Sequence, residues 1–111
     1  MVQYQPLDRT LAAVADPTRR AMLERLGRGA ATISELAAPF GISLTGTKKH
    51  VGVLEGAGLV TTEKVGRTRV CRAGPRGLED VHEWSATYRQ MLEERLDRLG
   101  ELLERDKGDQ E

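Results

Sequence analysis

The sequence predicts a mainly α-helical domain of about five helices with one small β-hairpin. Apolar residues recur at helical spacing in several segments, each bounded by a capping residue, a proline or a glycine. One stretch around Gly66-Arg67 has the composition of two short strands joined by a turn. The chain has 111 residues, 39% of them hydrophobic and 31% charged, which is the size and composition of a single globular domain, residues 1–111.

The first two helices are predicted from apolar spacing and from a start signal between them. Residues 7–14 form a short amphipathic segment. Asp16 is a good N-cap, and Pro17 suits the first helical position, where a missing N–H costs nothing. A second helix is therefore expected from Pro17 to Leu26.

The next two helices are predicted to be joined by a tight turn. Thr32 and Glu35 have the spacing of a capping box and start a third helix, which Pro39 and Gly41 close. Ser43 then caps a fourth helix that ends near residue 56. The side of this helix expected to face the core carries Leu44, Thr47, Val51 and Leu54.

The strands are predicted at residues 59–65 and 68–73, with Gly66 and Arg67 as a two-residue turn. This register places Lys64 opposite Arg69, so that basic side chains gather near the tip. A long final helix follows, from about residue 78 to 104, and residues 105–111 are expected to be frayed because they contain no apolar residue. The apolar side of this final helix is wider than one small domain needs, which indicates that a partner chain covers it.

Positive charge is concentrated in the middle of a chain whose formal net charge is zero. Residues 41–72 contain six Lys and Arg against two acids, whereas residues 78–111 contain eleven acids against five bases. A basic segment of this kind is either a solvated surface or a binding surface for a polyanion.

Two short helices joined by a tight turn and followed by a basic hairpin are the arrangement of a winged helix-turn-helix, a DNA-binding architecture. Residues 7–57 would be the helical core, residues 59–73 the wing and residues 78–104 a dimerisation helix. On the fourth helix, Lys49 points away from the expected core side and is the best candidate for a contact in the major groove.

The sequence also resembles a known family, the ArsR-type winged-helix transcriptional regulators. The resemblance runs from Leu11 to about Leu103 and is carried by Val14-Ala15-Asp16-Pro17-Thr18-Arg19-Arg20, by Ile33 to Ala37, by Ser43 to Val60 and by the Gly66-Arg67 tip. It implies that the helix with Lys49 and His50 reads the major groove, that the hairpin tip contacts DNA, and that the first and last helices form a homodimer. The implied DNA-binding residues are Ser43, Thr45, Lys48, Lys49, Lys64, Arg67 and Arg69. The implied dimer residues are Leu7, Leu11, Trp84, Tyr88, Met91, Leu92 and Leu99.

Metal sensing is the first alternative, because many members of this family release DNA when they bind metal. The segment of residues 34–38 contains no Cys, so the thiolate site is missing. Asp80 and His82 match half of a zinc site on the last helix, but Glu93 and Leu96 stand where its other half would be. One His with carboxylates is a poor zinc site. We therefore expect no metal and no cofactor, and we keep a metal-released repressor acting through Asp80 and His82 as an alternative.

Other chemical roles have less support in the sequence. His50 is expected to make a hydrogen bond rather than a metal bond, and Cys71 to fill a buried position in the hairpin, with a redox role as the alternative. No catalytic Ser/His/Asp or Cys/His set is suggested, so an enzyme is not expected.

These patterns predict a dimeric, metal-independent repressor that binds a near-palindromic DNA operator. The protein is expected to be cytoplasmic, since no apolar run approaches the roughly 20 residues that span a bilayer. The sequence names no small-molecule effector. The alternative from another class is a protein-interaction module that no longer binds DNA, and the basic hairpin argues against it.

Overall fold

The computed structural model describes residues 6–74 and 76–109. Its helices and strands, in chain order, are α1 (Pro6–Val14), α2 (Pro17–Leu26), β1 (Ala31–Thr32), α3 (Ile33–Ala37), a 3₁₀ turn (Ala38–Phe40), α4 (Leu44–Gly56), β2 (Val60–Val65), β3 (Thr68–Ala73) and α5 (Arg76–Asp109). One compact unit ends at Val81 and a second begins at His82. The predicted mainly helical architecture with a β-hairpin wing is confirmed.

Three helices begin at the residues that the sequence predicts. The carboxylate of Asp16 accepts from the Arg19 backbone N–H at 2.9 Å. Thr32 and Glu35 form both bonds of the capping box. The hydroxyl of Ser43 accepts from the Gly46 backbone N–H at 2.9 Å. Each cap satisfies N–H groups that have no partner inside the helix, which is why local sequence is enough to place these starts.

The cap at Asp16 makes stability depend on acid pH. The Arg19 backbone hydrogen bond lowers the pKa of Asp16 from its ordinary value of 3.8. A lowered folded-state pKa gives a contribution that is complete above the unfolded value and is lost as the pH falls through the folded value. We expect Asp16→Asn, which keeps a capping oxygen but does not titrate, to lose less stability than wild type between about pH 5 and pH 3. Urea unfolding at both pH values measures this, and equal losses would contradict it.

The C-terminus of α1 is capped by arginines that belong to α2. Arg19 donates from Nε to the Ala13 carbonyl at 2.7 Å and from Nη2 to the Ala12 carbonyl at 3.2 Å. Arg20 donates from Nη1 to the Val14 carbonyl at 2.7 Å. The last turn of α1 has no basic residue of its own. The two arginines therefore satisfy carbonyls that would otherwise lack partners, and their charge complements the negative end of the helix dipole.

Arg19→Lys is expected to destabilise the protein by about 1–2 kcal/mol, because a lysine keeps the charge but cannot donate along several directions from one planar group. The matched control is Arg28→Lys, at an exposed arginine whose guanidinium makes no hydrogen bond within the described residues. That control should change stability by less than about 0.5 kcal/mol. Urea unfolding at neutral pH compares them, and equal effects would show that the capping bonds contribute nothing.

The β-structure is a three-stranded antiparallel sheet in the order β1-β3-β2. The hairpin has the predicted register, with Val65 opposite Thr68 and Lys64 opposite Arg69. Gly66 has φ 63° in the turn, a value that glycine adopts without steric cost. The strand β1, which pairs Ala31 with Cys71, was not predicted from the sequence. Two residues are too few to show the alternation that reveals a strand.

The core lies between the helices and the inner side of this sheet. Its fully buried side chains include Met22, Leu36, Leu54 and Leu59. The predicted core side of α4 is confirmed at Thr47, Val51 and Leu54 but is wrong at Leu44, which is 52% exposed. Leu44 is the first residue of α4, and this first turn lies beside an open cleft rather than over the core.

The last helix is longer than predicted. It begins at Arg76 and continues to Asp109, so residues 105–109 are helical rather than frayed, and residues 110–111 lie outside the described part. Helical hydrogen bonds can continue without apolar contacts, and Lys107 in the last turn complements the negative end of the helix dipole. Within residues 6–74 and 76–109, no helix has the length and hydropathy to cross a membrane.

Candidate nucleic-acid interface

The packing of α3 and α4 decides which side of α4 is exposed. Thr47, Val51 and Leu54 are buried against the core, and the Thr47 hydroxyl donates to the Ser43 carbonyl at 2.9 Å. Thr45 and Lys49 are exposed on the outer side of the helix. A helix held by one face with polar and cationic groups on the other has the form needed to enter a major groove about 12 Å wide.

The side chain of Ser43 has a structural role as well as the predicted contact role. Its oxygen accepts the Gly46 N–H, which uses one of its two lone pairs. Its hydroxyl hydrogen can still be donated to an acceptor outside the protein, such as a phosphate oxygen. The predicted DNA contact at Ser43 is therefore compatible with the cap.

His50 connects α4 to α2. The Arg19 Nη1 lies 3.4 Å from Nδ1 of His50, which is half-buried. Arginine has no acceptor, so Nδ1 of His50 is the acceptor in this contact. The predicted hydrogen bond at His50 is confirmed, and its partner, Arg19, could not be identified from sequence patterns.

The basic side chains of the wing fall into two groups. Lys64 and Arg67 are exposed, and neither has a hydrogen bond or ion pair within the described part of the chain. Arg69, in contrast, donates from Nη1 to the Thr62 hydroxyl at 2.8 Å, and that hydroxyl donates to Glu55 Oε2 at 2.7 Å. This relay joins both strands of the wing to the end of α4. Sequence spacing could not reveal it, because all three bonded side chains are seven residues apart or more along the chain.

A cleft of about 370 Å³ lies between the start of α3, the first turns of α4 and the wing. It brings Lys48 together with Lys64, Arg67 and Arg69, four of the seven predicted DNA-binding residues. Ser43, Thr45 and Lys49 do not line it. Ser34 and Leu44 also line the cleft, although neither was predicted as a site residue. Leu44 was expected on the core side, and only its exposure in the structure identifies it as a surface residue.

Cys71 has no access to solvent. It lies on the central strand β3, paired with Ala31 on one side and Thr62 on the other. Burial raises the pKa of the Cys71 thiol, with Glu55 as a smaller cause in the same direction. The prediction of a buried position is confirmed, and a protonated, enclosed thiol is a poor nucleophile at neutral pH.

Most of the predicted dimer residues have exposed apolar side chains. Leu11 on α1 is exposed and Leu7 is half-buried. On α5, the exposed side chains include Trp84, Tyr88, Met91, Leu92 and Leu99. The rings of Trp84 and Tyr88 stack with centroids 5.6 Å apart. Such an apolar row on a single helix is typical of a surface that another protein chain covers.

Asp80 and His82 are the candidate metal ligands on α5. Among the residues that the structure describes, no three His, Cys, Asp or Glu side chains converge in a way that could hold a metal ion. Asp80 is half-buried and His82 is exposed.

A helix-turn-helix with an exposed cationic outer side, followed by a basic β-hairpin wing, defines a winged helix-turn-helix protein of the DNA-binding class. A family model for a helix-turn-helix domain matches residues 14–63. The chain is 40% identical over 78 residues to the HTH-type transcriptional regulator Rv2034 of Mycobacterium tuberculosis, covering 70% of this chain and 73% of that protein.

Solved structures agree with this class. The crystal structure of the ArsR family transcriptional regulator RHA00566 has a TM-score of 0.77 and 44% identity, covering 84% of this chain and 97% of that one. An ArsR-like transcriptional regulator from Rhodococcus sp. RHA1 has a TM-score of 0.75 and 30% identity, covering 87% and 92%. The chain belongs to the ArsR family of winged helix-turn-helix, DNA-binding transcriptional regulators.

Proposed function

We propose that this protein is a homodimeric repressor that binds a near-palindromic DNA operator in the cytoplasm without using a metal. The observation that supports this function most is that exposed cations of α4 and of the wing line one cleft. The outer side of α4 offers Lys48 and Lys49, and the wing offers Lys64 and Arg67. Most of the affinity of such proteins for DNA comes from phosphate contacts by Lys and Arg.

Dimerisation would supply the second half of the binding site. The exposed apolar row of α5 and the exposed Leu11 of α1 are the surfaces for a second copy of the chain. A two-fold dimer would place two copies of α4 in successive major grooves about 34 Å apart. This spacing predicts an operator of two inverted half-sites one helical turn apart.

Selection of duplexes from a randomised pool by the purified protein tests the proposal. We expect enrichment of an inverted repeat whose binding weakens steeply with salt. Lys49→Ala and Arg67→Ala should each weaken binding, whereas Arg28→Ala, which removes the same charge elsewhere in the same compact unit, should change it least. Adding zinc to the complex should release no DNA. Release by zinc would favour the metal-sensing alternative.

The opposite result points to the rival class of function. If no duplex is enriched, and if weak binding is indifferent to Lys49→Ala and Arg67→Ala, the proposed repressor function is wrong. The apolar row of α5 would then be the surface to test for another protein partner.

A further inference from the structure

We infer that the cleft between α3, α4 and the wing binds one phosphate group of the DNA backbone and that Ser34 and Leu44 belong to this site. The inference rests on the proposed DNA-binding function and deepens it. Sequence reasoning placed cations on α4 and on the wing as separate contacts. The structure places them around a single concave space, together with two residues that the sequence did not single out.

The cations around the cleft form no ion pair within the described residues. Lys48, Lys64 and Arg67 are exposed, and none makes an ion pair within the described residues. Arg69 also lines the cleft, held by its hydrogen bond to Thr62, and the carboxylate of the relay, Glu55, bonds to Thr62 rather than to any of the cations. Four like charges around one space repel one another until an anion enters.

The shape and lining fit a phosphate attached to a sugar better than a bare ion. Ser34 and Thr68 place hydroxyl groups in the lining, and a hydroxyl can donate to a phosphate oxygen. Ile33 and the exposed Leu44 supply an apolar part. This apolar part suits the carbon face of a deoxyribose, so the burial of Leu44 in the complex would explain why a leucine stands exposed there.

The position of the cleft favours a backbone phosphate over a free anion. The cleft is lined by residues of α4 and of the wing, the two elements that contact DNA in the proposed function. A strand whose bases contact Lys49 on the outer side of α4 therefore has its backbone close to Lys48 on the neighbouring side. A free phosphate-bearing molecule would use the same chemistry, and the experiment separates the two sources.

The first arm neutralises DNA phosphates one at a time. In the selected duplex, each phosphate of one half-site is replaced in turn by an uncharged methylphosphonate, and affinity is measured for wild type, Lys48→Gln/Lys64→Gln and the matched control Lys49→Gln. At one position we expect neutralisation to weaken DNA binding by wild type and by Lys49→Gln about tenfold. DNA binding by the cleft variant, Lys48→Gln/Lys64→Gln, should weaken less than about twofold there, since a contact that is already removed cannot be lost again. Ser34→Ala should reduce the effect at this same position. Equal effects of every replacement in all variants would overturn the inference while leaving DNA binding intact.

The second arm uses inorganic pyrophosphate at constant ionic strength. No competition with the duplex, together with the coupled position in the first arm, supports the DNA backbone as the source. Competition that is lost in Lys48→Gln/Lys64→Gln, without a coupled position in the first arm, assigns the site to a free anion and overturns its assignment to the DNA backbone. If no duplex is selected, the proposed function fails, and pyrophosphate binding by wild type but not by the cleft variant then decides whether the phosphate site exists. Absence of both overturns it.

Discussion

Leu54→Ala is expected to destabilise the protein by about 2–5 kcal/mol, the range for truncating a buried leucine. Leu54 is fully buried on the core side of α4. Truncation removes its packing and leaves a cavity beneath the helix that carries Lys48 and Lys49. Because small proteins are stable by only about 5–15 kcal/mol, the loss would be a large part of the total.

The control is the preceding residue on the same helix. Val53 is 44% exposed, so Val53→Ala should change stability by less than about 0.5 kcal/mol. Urea unfolding of both variants at one protein concentration gives the comparison. If both variants lose the same stability, the assignment of the core side of α4 is wrong.

Leu92→Glu is expected to convert the proposed dimer into a monomer and to weaken operator binding by about a hundredfold or more. A carboxylate in the middle of an apolar interface would be buried without a partner, which is strongly unfavourable. A monomer would also lose the gain from binding two linked half-sites, which is about 10²–10⁴ in affinity.

Sedimentation equilibrium measures the assembly state, and titration of the selected duplex measures the affinity. The control is Gln90→Glu, which adds the same charge to α5 at an exposed polar position away from the apolar row. It should remain dimeric and should bind DNA nearly as well as wild type. A wild-type protein that sediments as a monomer, or a Leu92→Glu variant that remains a dimer, would contradict this use of α5.

Features that depend on a few neighbouring residues were predictable from the sequence. The helix starts at Asp16, Thr32 and Ser43 follow from caps within three residues of each helix start. The hairpin register follows from the two-residue turn at Gly66-Arg67. The burial of Cys71 follows from alternation along its strand.

Features that join distant segments were decided only by the tertiary structure. The strand β1 exists because Ala31 meets Cys71, and the arginine caps of α1 exist because α2 folds back beside its end. Leu44 is exposed because no described element packs over it, and helical spacing along one segment cannot show this. The cleft is formed by side chains from three elements, so it has no signature in any one of them. The helix-turn-helix, the wing and their cations could be predicted because caps, turns and periodicity are local. Which cations line the same cleft depends on contacts between residues far apart in the chain, so only the fold reveals it.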